Sequence, residues 1–237
     1  MSSNFRVDVI TLFPPLFESW LQQGVVSRAV ERGIVEINLV NLRPFGIGRH
    51  QITDDYPFGG GPGMVLKPEP LYAAVESLEL GEDVPVILMS PRGRRFDQQV
   101  AAGLATLDRL VLIAGHYEGV DQRVIDELMT DELSIGDYVL SSGELAAMVV
   151  CDCVARLLPG ALAEGSAADE SFSQGLLEYP QYTRPATFRG TEVPPVLLSG
   201  HHGEVEKWRR ERALELTRER RPDLLPPEPK TGERTPE

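Results

Sequence analysis

The chain reads as an α/β fold built on a largely parallel sheet, followed by a small, mostly helical domain. Three observations predict this. Two continuous apolar runs, Val84–Ser90 (VPVILMS) and Arg109–Gly115 (RLVLIAG), have the composition of parallel strands covered on both faces. Strand patterns alternate with helical ones from Phe5 to Leu157, as crossover connections require. Beyond residue 178 only one long periodic segment remains, and it is helical.

Each element has its own warrant. Phe5–Phe13 alternates and is rich in β-branched residues, so it is a strand. Pro14-Pro15 opens a helical pattern that runs to about Arg32, where Gly33 stops it. Val35–Leu42 alternates again, and residues 43–66 are loop-like. Further helical patterns cover Pro68–Leu80, Phe96–Leu107, Val120–Met129, Glu144–Leu157 and Glu204–Arg220. Leu133–Leu140 is expected to be the last strand of the sheet. The organisation expected is an α/β domain over 1–160, a flexible linker over 161–178, a helical domain over 179–225 and a disordered tail over 226–237.

The composition is globular: 237 residues, 42% hydrophobic and 25% charged. No apolar run approaches a membrane span, and the N-terminus MSSNFRVDVI lacks signal-peptide organisation. Cytoplasmic residence with no membrane partner is expected. Cys151 and Cys153 sit at i, i+2 in a helical pattern, too poorly aligned for a shared metal or a bridge. They are expected to be two buried thiols. The net charge of −13 argues against a wholly basic nucleic-acid coat. It is uneven: residues 1–160 sum to −10, whereas residues 201–237 balance to zero. The cations of that last region cluster as Lys207, Arg209, Arg210, Arg212, Arg218, Arg220 and Arg221, by themselves no more than a solvated helix face.

In an open α/β sheet a ligand sits beyond the carboxyl ends of the strands. Three such ends carry small residues and turn chemistry: Ser90-Pro91-Arg92-Gly93, Gly115-His116-Tyr117-Glu118-Gly119, and Ser134–Leu145 (SIGDYVLSSGEL). Any one is an ordinary turn; three on one edge make a pocket. The pocket is not a standard nucleotide site, because no G-x-x-x-x-G-K-[ST] or strand-preceded G-x-G-x-x-G occurs. Gly59-Gly60-Gly61-Pro62-Gly63 suggests backbone held close to something. No G-x-S-x-G or H-E-x-x-H is present. No metal site is expected.

Seven segments in order carry a family resemblance: FGGGPGM (Phe58–Met64), SPRG (Ser90–Gly93), GHYEG (Gly115–Gly119), SIGDYVLSSGEL, YPQYTRP (Tyr179–Pro185), VPPVLLSGHH (Val193–His202) and KWRR…RRPDLL (Lys207–Leu225). Together they resemble the bacterial tRNA (guanine-N1)-methyltransferases, the TrmD family of the SPOUT methyltransferases. The resemblance implies a deep trefoil knot in the sheet domain, S-adenosylmethionine bound in the knot, and a homodimer with tRNA as partner rather than DNA. The reaction it implies is methylation of the guanine at tRNA position 37.

Carried over by motif, Leu88, Met89, Ser90, Pro91, Gly115, Glu118, Ile135, Gly136, Asp137, Tyr138, Val139, Leu140, Gly143 and Glu178 are the expected cofactor residues. Gly59, Tyr182, Arg184, His201, His202, Lys207, Arg209 and Arg210 are the expected tRNA contacts. The family's general base is an Asp in a D-S-F triplet, which here reads Glu170-Ser171-Phe172 with Asp169 before it. Either carboxylate is a candidate base. The matching cation is Arg156. Other departures are His116 in place of an Arg, Ser142 in place of a Gly, and Ala146 where a Pro is common. The rival readings are a knotted enzyme acting on another RNA base, a catalytically idle RNA-binding module, and a nicotinamide oxidoreductase.

Overall fold

The computed structural model describes residues 4–163 and 170–226. The chain divides into two compact units, residues 1–164 and 165–237, and each is treated by itself. In the first, five strands form one parallel sheet. They are β1 (Phe5–Thr11), β2 (Val35–Asn41), β5 (Val86–Arg95), β6 (Arg109–Ala114) and β7 (Asp131–Ser134), in the spatial order β2-β1-β6-β5-β7. Two short strands, β3 (Asp54–Asp55) and β4 (Val65–Leu66), pair antiparallel outside it.

The central strands are buried on both faces, as their apolar runs predict. Val7, Val9, Leu110, Leu112, Ile87 and Met89 point into one core. There they meet Val26 and Ala29 of α2 (Gly24–Glu31) and Ala147, Val150, Cys151 and Val154 of α6 (Glu144–Leu157). Alternate residues, Ile10, Val111, Ile113 and Leu88, face the other core. That core holds Leu71, Ala74 and Val75 of α3 (Pro68–Glu76) and Val124 of α5 (Gln122–Leu128). On the first face α4 (Gln98–Leu104) packs beside α6. The result is a three-layer sandwich with all strand carboxyl ends on one edge.

Several boundaries differ from the sequence reading. The single helix expected over 14–32 is a 3-10 turn (Pro14–Phe17), a short α1 (Glu18–Leu21) and α2. Gly24, at φ +81, makes the break in a conformation that side chains resist. β5 runs five residues beyond Ser90, because its pairing with β7 stops at Met89 and resumes at Arg94. The last strand ends at Ser134, so Ile135–Leu140 is not a strand. Gly136, at φ +152, turns the chain out of the sheet, and the Ser134 hydroxyl donates to the Gly136 carbonyl at 3.0 Å. Cys151 is buried, and its thiol is pushed up to about 12 by that burial. Cys153 is only half-buried, so the expectation of two buried thiols holds for one.

The second unit contains α7 (His202–Arg220) and a hairpin of β8 (Thr187–Phe188) and β9 (Thr191–Glu192). Among the expected linker and tail, residues 164–169 and 227–237 lie outside the described residues. No described helix is long and apolar enough to cross a membrane.

One charged group is fully buried in the sheet layer. Asp8 of β1 accepts from Arg6 at 2.9 Å, from Asn38 at 2.6 Å and from Arg109 at 2.8 Å, tying β1, β2 and β6 together. Burial pushes its pKa up, but the three hydrogen bonds and the positive field of Arg109 prevail and hold it below the ordinary carboxylate value. We expect Asp8→Ala to destabilise the unit by about 2–4 kcal/mol, less than a fully buried pair because both arginines reach solvent. A carboxylate with a lowered folded pKa stabilises above its unfolded pKa and ceases to as pH falls through the folded one. The gap to wild type in urea unfolding should therefore be full at neutral pH and narrow below about pH 4.

Candidate active site

The carboxyl ends of β6 and β7 and the middle of β5 border a cavity of about 310 Å³, within the range of small-molecule sites. Its walls are made by three stretches: Leu88–Arg92 within β5, where its pairing with β7 breaks, Gly115–Val120 after β6, and Leu133–Gly143 from β7 to the start of α6, without Asp137. Ile125 of α5 and Ala146 of α6 complete it. The lining mixes aliphatic side chains with a few polar groups, Ser90, Arg92, His116, Glu118 and Ser141 among them.

The closing segment is held by backbone. The Gly143 N–H donates to the Gly115 carbonyl at 2.8 Å. A Cβ on Gly143 would lie 2.6 Å from the Gly115 nitrogen and 2.8 Å from the Ala114 Cα. One residue later, buried Glu144 accepts from the Thr11 hydroxyl at 2.7 Å, which anchors α6 to the end of β1. Sequence reasoning expected Gly136 and Gly143 to make room for a ligand. The geometry gives another reason: at Gly143 the obstacle is the backbone at the end of β6, and at Gly136 it is the Tyr138 ring, 2.5 Å from where a Cβ would sit.

The glycine-rich loop is tied to the same wall. Leu66 donates to the Gly119 carbonyl at 2.9 Å, and Glu118 donates to the Met64 carbonyl at 3.0 Å. Gly63 leaves the space that the Glu118 side chain fills. Gly59 takes φ +89 in the exposed part of the loop, with open space where a Cβ would point. In the same stretch the His116 ring lies 5.2 Å from the Phe13 ring and 4.7 Å from the Tyr117 ring. Tyr117 N–H donates to His116 Nδ1 at 3.0 Å. Burial, and then the field of Asp54, push the Tyr117 phenol above its ordinary value.

Of the expected cofactor residues, the cavity gathers Leu88, Met89, Ser90, Pro91, Gly115, Glu118, Ile135, Gly136, Tyr138, Val139, Leu140 and Gly143. Asp137 is exposed and outside the lining. Glu178 belongs to the second unit, where its Oε1 accepts from Gln181 at 2.6 Å. Arg156 is half-buried near the C-terminal end of α6.

The second unit has its own groove. Glu170, Ser173 and Leu176–Tyr179 form one wall, and Lys207, Arg209, Arg210 and Ala213 of α7 the other. Tyr182 packs its ring 6.3 Å from Trp208. Arg184, His201 and His202 are exposed. Asp169, the other candidate base, lies outside the described residues.

With both sites described, comparison with known proteins identifies the family. The model of the tRNA (guanine-1)-methyltransferase TrmD family matches residues 5–227. The chain belongs to this family. It is similar to the tRNA (guanine-N(1)-)-methyltransferase of Moorella thermoacetica, 58% identical over 93% of this chain and 90% of that one. The protein of the same name from Geobacter sulfurreducens is 54% identical over 93% and 91%.

The cavity also contains residues that motif reasoning did not single out as binding residues: Arg92, His116, Tyr117, Val120, Ile125, Ser134 and Ala146. Arg92, His116 and Tyr117 stand inside the quoted motifs and were legible as such. Ile125 and Ala146 enter from helix faces, where only the fold brings them in. We expect Gly143→Ala to destabilise the first unit by about 1–3 kcal/mol, because its Cβ meets backbone that cannot step aside. Gly115→Ala, whose Cβ would sit 3.3 Å from the Met89 carbonyl oxygen, should cost less. Urea unfolding of the two variants compares them directly.

Proposed function

We propose that the protein transfers a methyl group from S-adenosylmethionine to N1 of the guanine at tRNA position 37, on the 3′ side of the anticodon. The observation that carries this reading is the cavity at the ends of β6 and β7 and the middle of β5, closed by residues 135–143, in a chain of the TrmD family. The cavity suits the co-substrate chemically. Leu88, Ile125, Ile135 and Leu140 offer apolar walls for an adenine ring, and close-packed backbone at Gly115 and Gly143 offers amide edges. Ser90 and Glu118 supply polar groups for the ribose and the methionine end.

Bound there, S-adenosylmethionine supplies an electrophilic sulfonium methyl, so the protein needs no nucleophile of its own. What remains is a proton problem. Guanine N1 carries a hydrogen, and its nitrogen attacks only as that hydrogen leaves. Glu170 is assigned as the acceptor of this proton. Arg156 is assigned as the cation that stabilises charge developing on guanine O6. Phosphates of the tRNA are met by Lys207, Arg209 and Arg210, with Tyr182, Arg184, His201 and His202 on the same unit. This grip should weaken with salt. The target base is read splayed out of its loop, since A-form grooves display little sequence.

The finer architecture belongs to the same proposal. Residues 135–143 leave edge strand β7 and return to the end of β6 at Gly143, a path compatible with the family's deep trefoil knot. We infer a homodimer in the cytoplasm, with active sites that draw on both copies.

The assignment is tested by methylating unmodified tRNA transcripts and mapping the product. A methyl on N1 of guanine 37 is expected; a methyl elsewhere would replace this reading with a different RNA target. In single-turnover assays Glu170→Gln should lose roughly 10²–10⁴ in rate with S-adenosylmethionine binding intact. Asp169→Asn should lose little, and the reverse pattern would transfer the role to Asp169. Mixing Arg156→Ala chains with folded chains that have lost S-adenosylmethionine binding should restore activity that neither has alone; no recovery in confirmed mixed dimers would argue for self-contained sites.

A further inference from the structure

Residues 170–179 are laid along α7 by a row of contacts four residues apart. The Arg209 guanidinium lies 4.8 Å from the centre of the Tyr179 ring. Ala213 is buried beneath the segment in the groove. The Thr217 hydroxyl accepts the Leu177 N–H at 2.9 Å. Arg221, just past the helix, lies 5.7 Å from the centre of the Phe172 ring. Positions 209, 213 and 217 fall on one inclined stripe of α7, which Arg221 prolongs past its end, and the segment runs antiparallel to it.

Thr217 is the one polar anchor in this row. It is fully buried, and its hydroxyl also donates to the Ala213 carbonyl at 2.7 Å, so its oxygen is fixed in direction. A threonine that bonds back into its own helix gains little for that helix. Here the back-bond orients the oxygen lone pairs towards Leu177. From Leu177 the order passes to Glu170 in two steps. The neighbouring Glu178 N–H donates to the Ser171 hydroxyl at 3.0 Å. The Ser173 hydroxyl and N–H both donate to the Glu170 carbonyl, at 2.6 and 3.2 Å. Phe172, at φ +75, donates to the Leu176 carbonyl at 2.7 Å and closes the loop.

We propose that Thr217 is a positioning residue for methyl transfer: its buried hydroxyl hooks the Leu177 amide and thereby sets where Glu170 is presented. The inference rests on Glu170 being the base. It ties placement of the base to α7, the helix whose Lys207, Arg209 and Arg210 are assigned to tRNA. A helix that grips the substrate and also carries the base's tether delivers both together.

Thr217→Val keeps the shape and removes the hydroxyl; Thr217→Ser keeps the hydroxyl. In the full-length protein, Thr217→Val should lower the single-turnover rate by about tenfold, equivalent to about 1.4 kcal/mol, with S-adenosylmethionine affinity unchanged. Thr217→Ser should recover most of that rate. Hydrogen exchange at the Leu177 amide should quicken in Thr217→Val and not in Thr217→Ser. Raising the pH should narrow the deficit, because guanine N1 then ionises without help. Added to Glu170→Gln, Thr217→Val should cost nothing more, since no base remains to misplace.

An unchanged rate in folded Thr217→Val overturns the inference while leaving Glu170 as base. So does a loss that serine fails to recover, or one fully additive with Glu170→Gln, because either marks general loosening of the unit. A Glu170→Gln variant that keeps its rate removes the base assignment, and with it this role for Thr217.

Discussion

The close approach of Gly143 to the end of β6 is the constraint on which the first unit depends. β7 is an edge strand, two positions away from β6 in the sheet. The chain that leaves it must come back past β5 before α6 can begin. It does so without a side chain between the two backbones, which leaves room for a 2.8 Å hydrogen bond and for nothing larger. Thr11 and Glu144 then fix the next residue to β1. The start of α6 is thereby located against two strands before any of its apolar face is packed. That face goes on to bury Ala147, Val150, Cys151 and Val154, in the core that covers one side of the sheet. The same return path closes the cavity, so the ligand wall and the hydrophobic core are consequences of one contact.

Electrostatics is distributed according to a different logic in each unit. In the first, the charge buried within the sheet is structural: Asp8 is surrounded by donors from three strands, apart from the cavity edge. In the second, the arginines of α7 stand at the surface or lie over rings of the 170–179 segment. Arg209 over Tyr179 and Arg221 over Phe172 use their planar faces for packing and keep their charge. A cation held this way stays available to a phosphate, whereas one committed to a buried carboxylate does not. The neutral balance of residues 201–237, in a chain of net charge −13, fits the tRNA contacts proposed for this unit.

Much of this was legible in the sequence, for identifiable reasons. Apolar runs without alternation gave β5 and β6, because strands covered on both faces have no polar side to display. The cavity was legible because close backbone packing demands small residues, and small residues clustered at strand ends stand out. The Tyr138-Val139-Leu140 run misled for a related reason. Three apolar residues between turn signals look like a buried strand, yet Val139 is 83% exposed and Tyr138 55% exposed; periodicity does not separate a core strand from a loop that presents apolar groups at a site. The extension of β5 to Arg95 was hidden because its second half is polar and pairs only after a register break. Thr217 gave no signal at all. A threonine inside a charged helix is unremarkable until the segment packed on it is known.

The departures that the family resemblance implies are absorbed where the structure has room for them. Ala146 stands where proline is common. It lies in the first turn of α6, whose N–H groups have no acceptor within the helix, so either residue fits that position. His116 replaces an arginine. Its ring packs against Phe13 and Tyr117, and its Nδ1 takes the Tyr117 N–H. An arginine has no acceptor to offer there, so in this chain the turn is closed from within, with Tyr117 held at φ +59. The departure at the proposed base is of another kind. Glutamate for aspartate at position 170 adds a methylene and a rotatable bond to the group assigned to take the proton. A longer carboxylate reaches the same place only if its backbone is held more closely, because each added torsion spreads the positions it samples. The hydrogen bonds that pin the Glu170 carbonyl to Ser173 and the Leu177 amide to Thr217 supply that restraint. On the proposed assignment of Glu170, the substitution at the triplet and the tether on α7 are two parts of one arrangement.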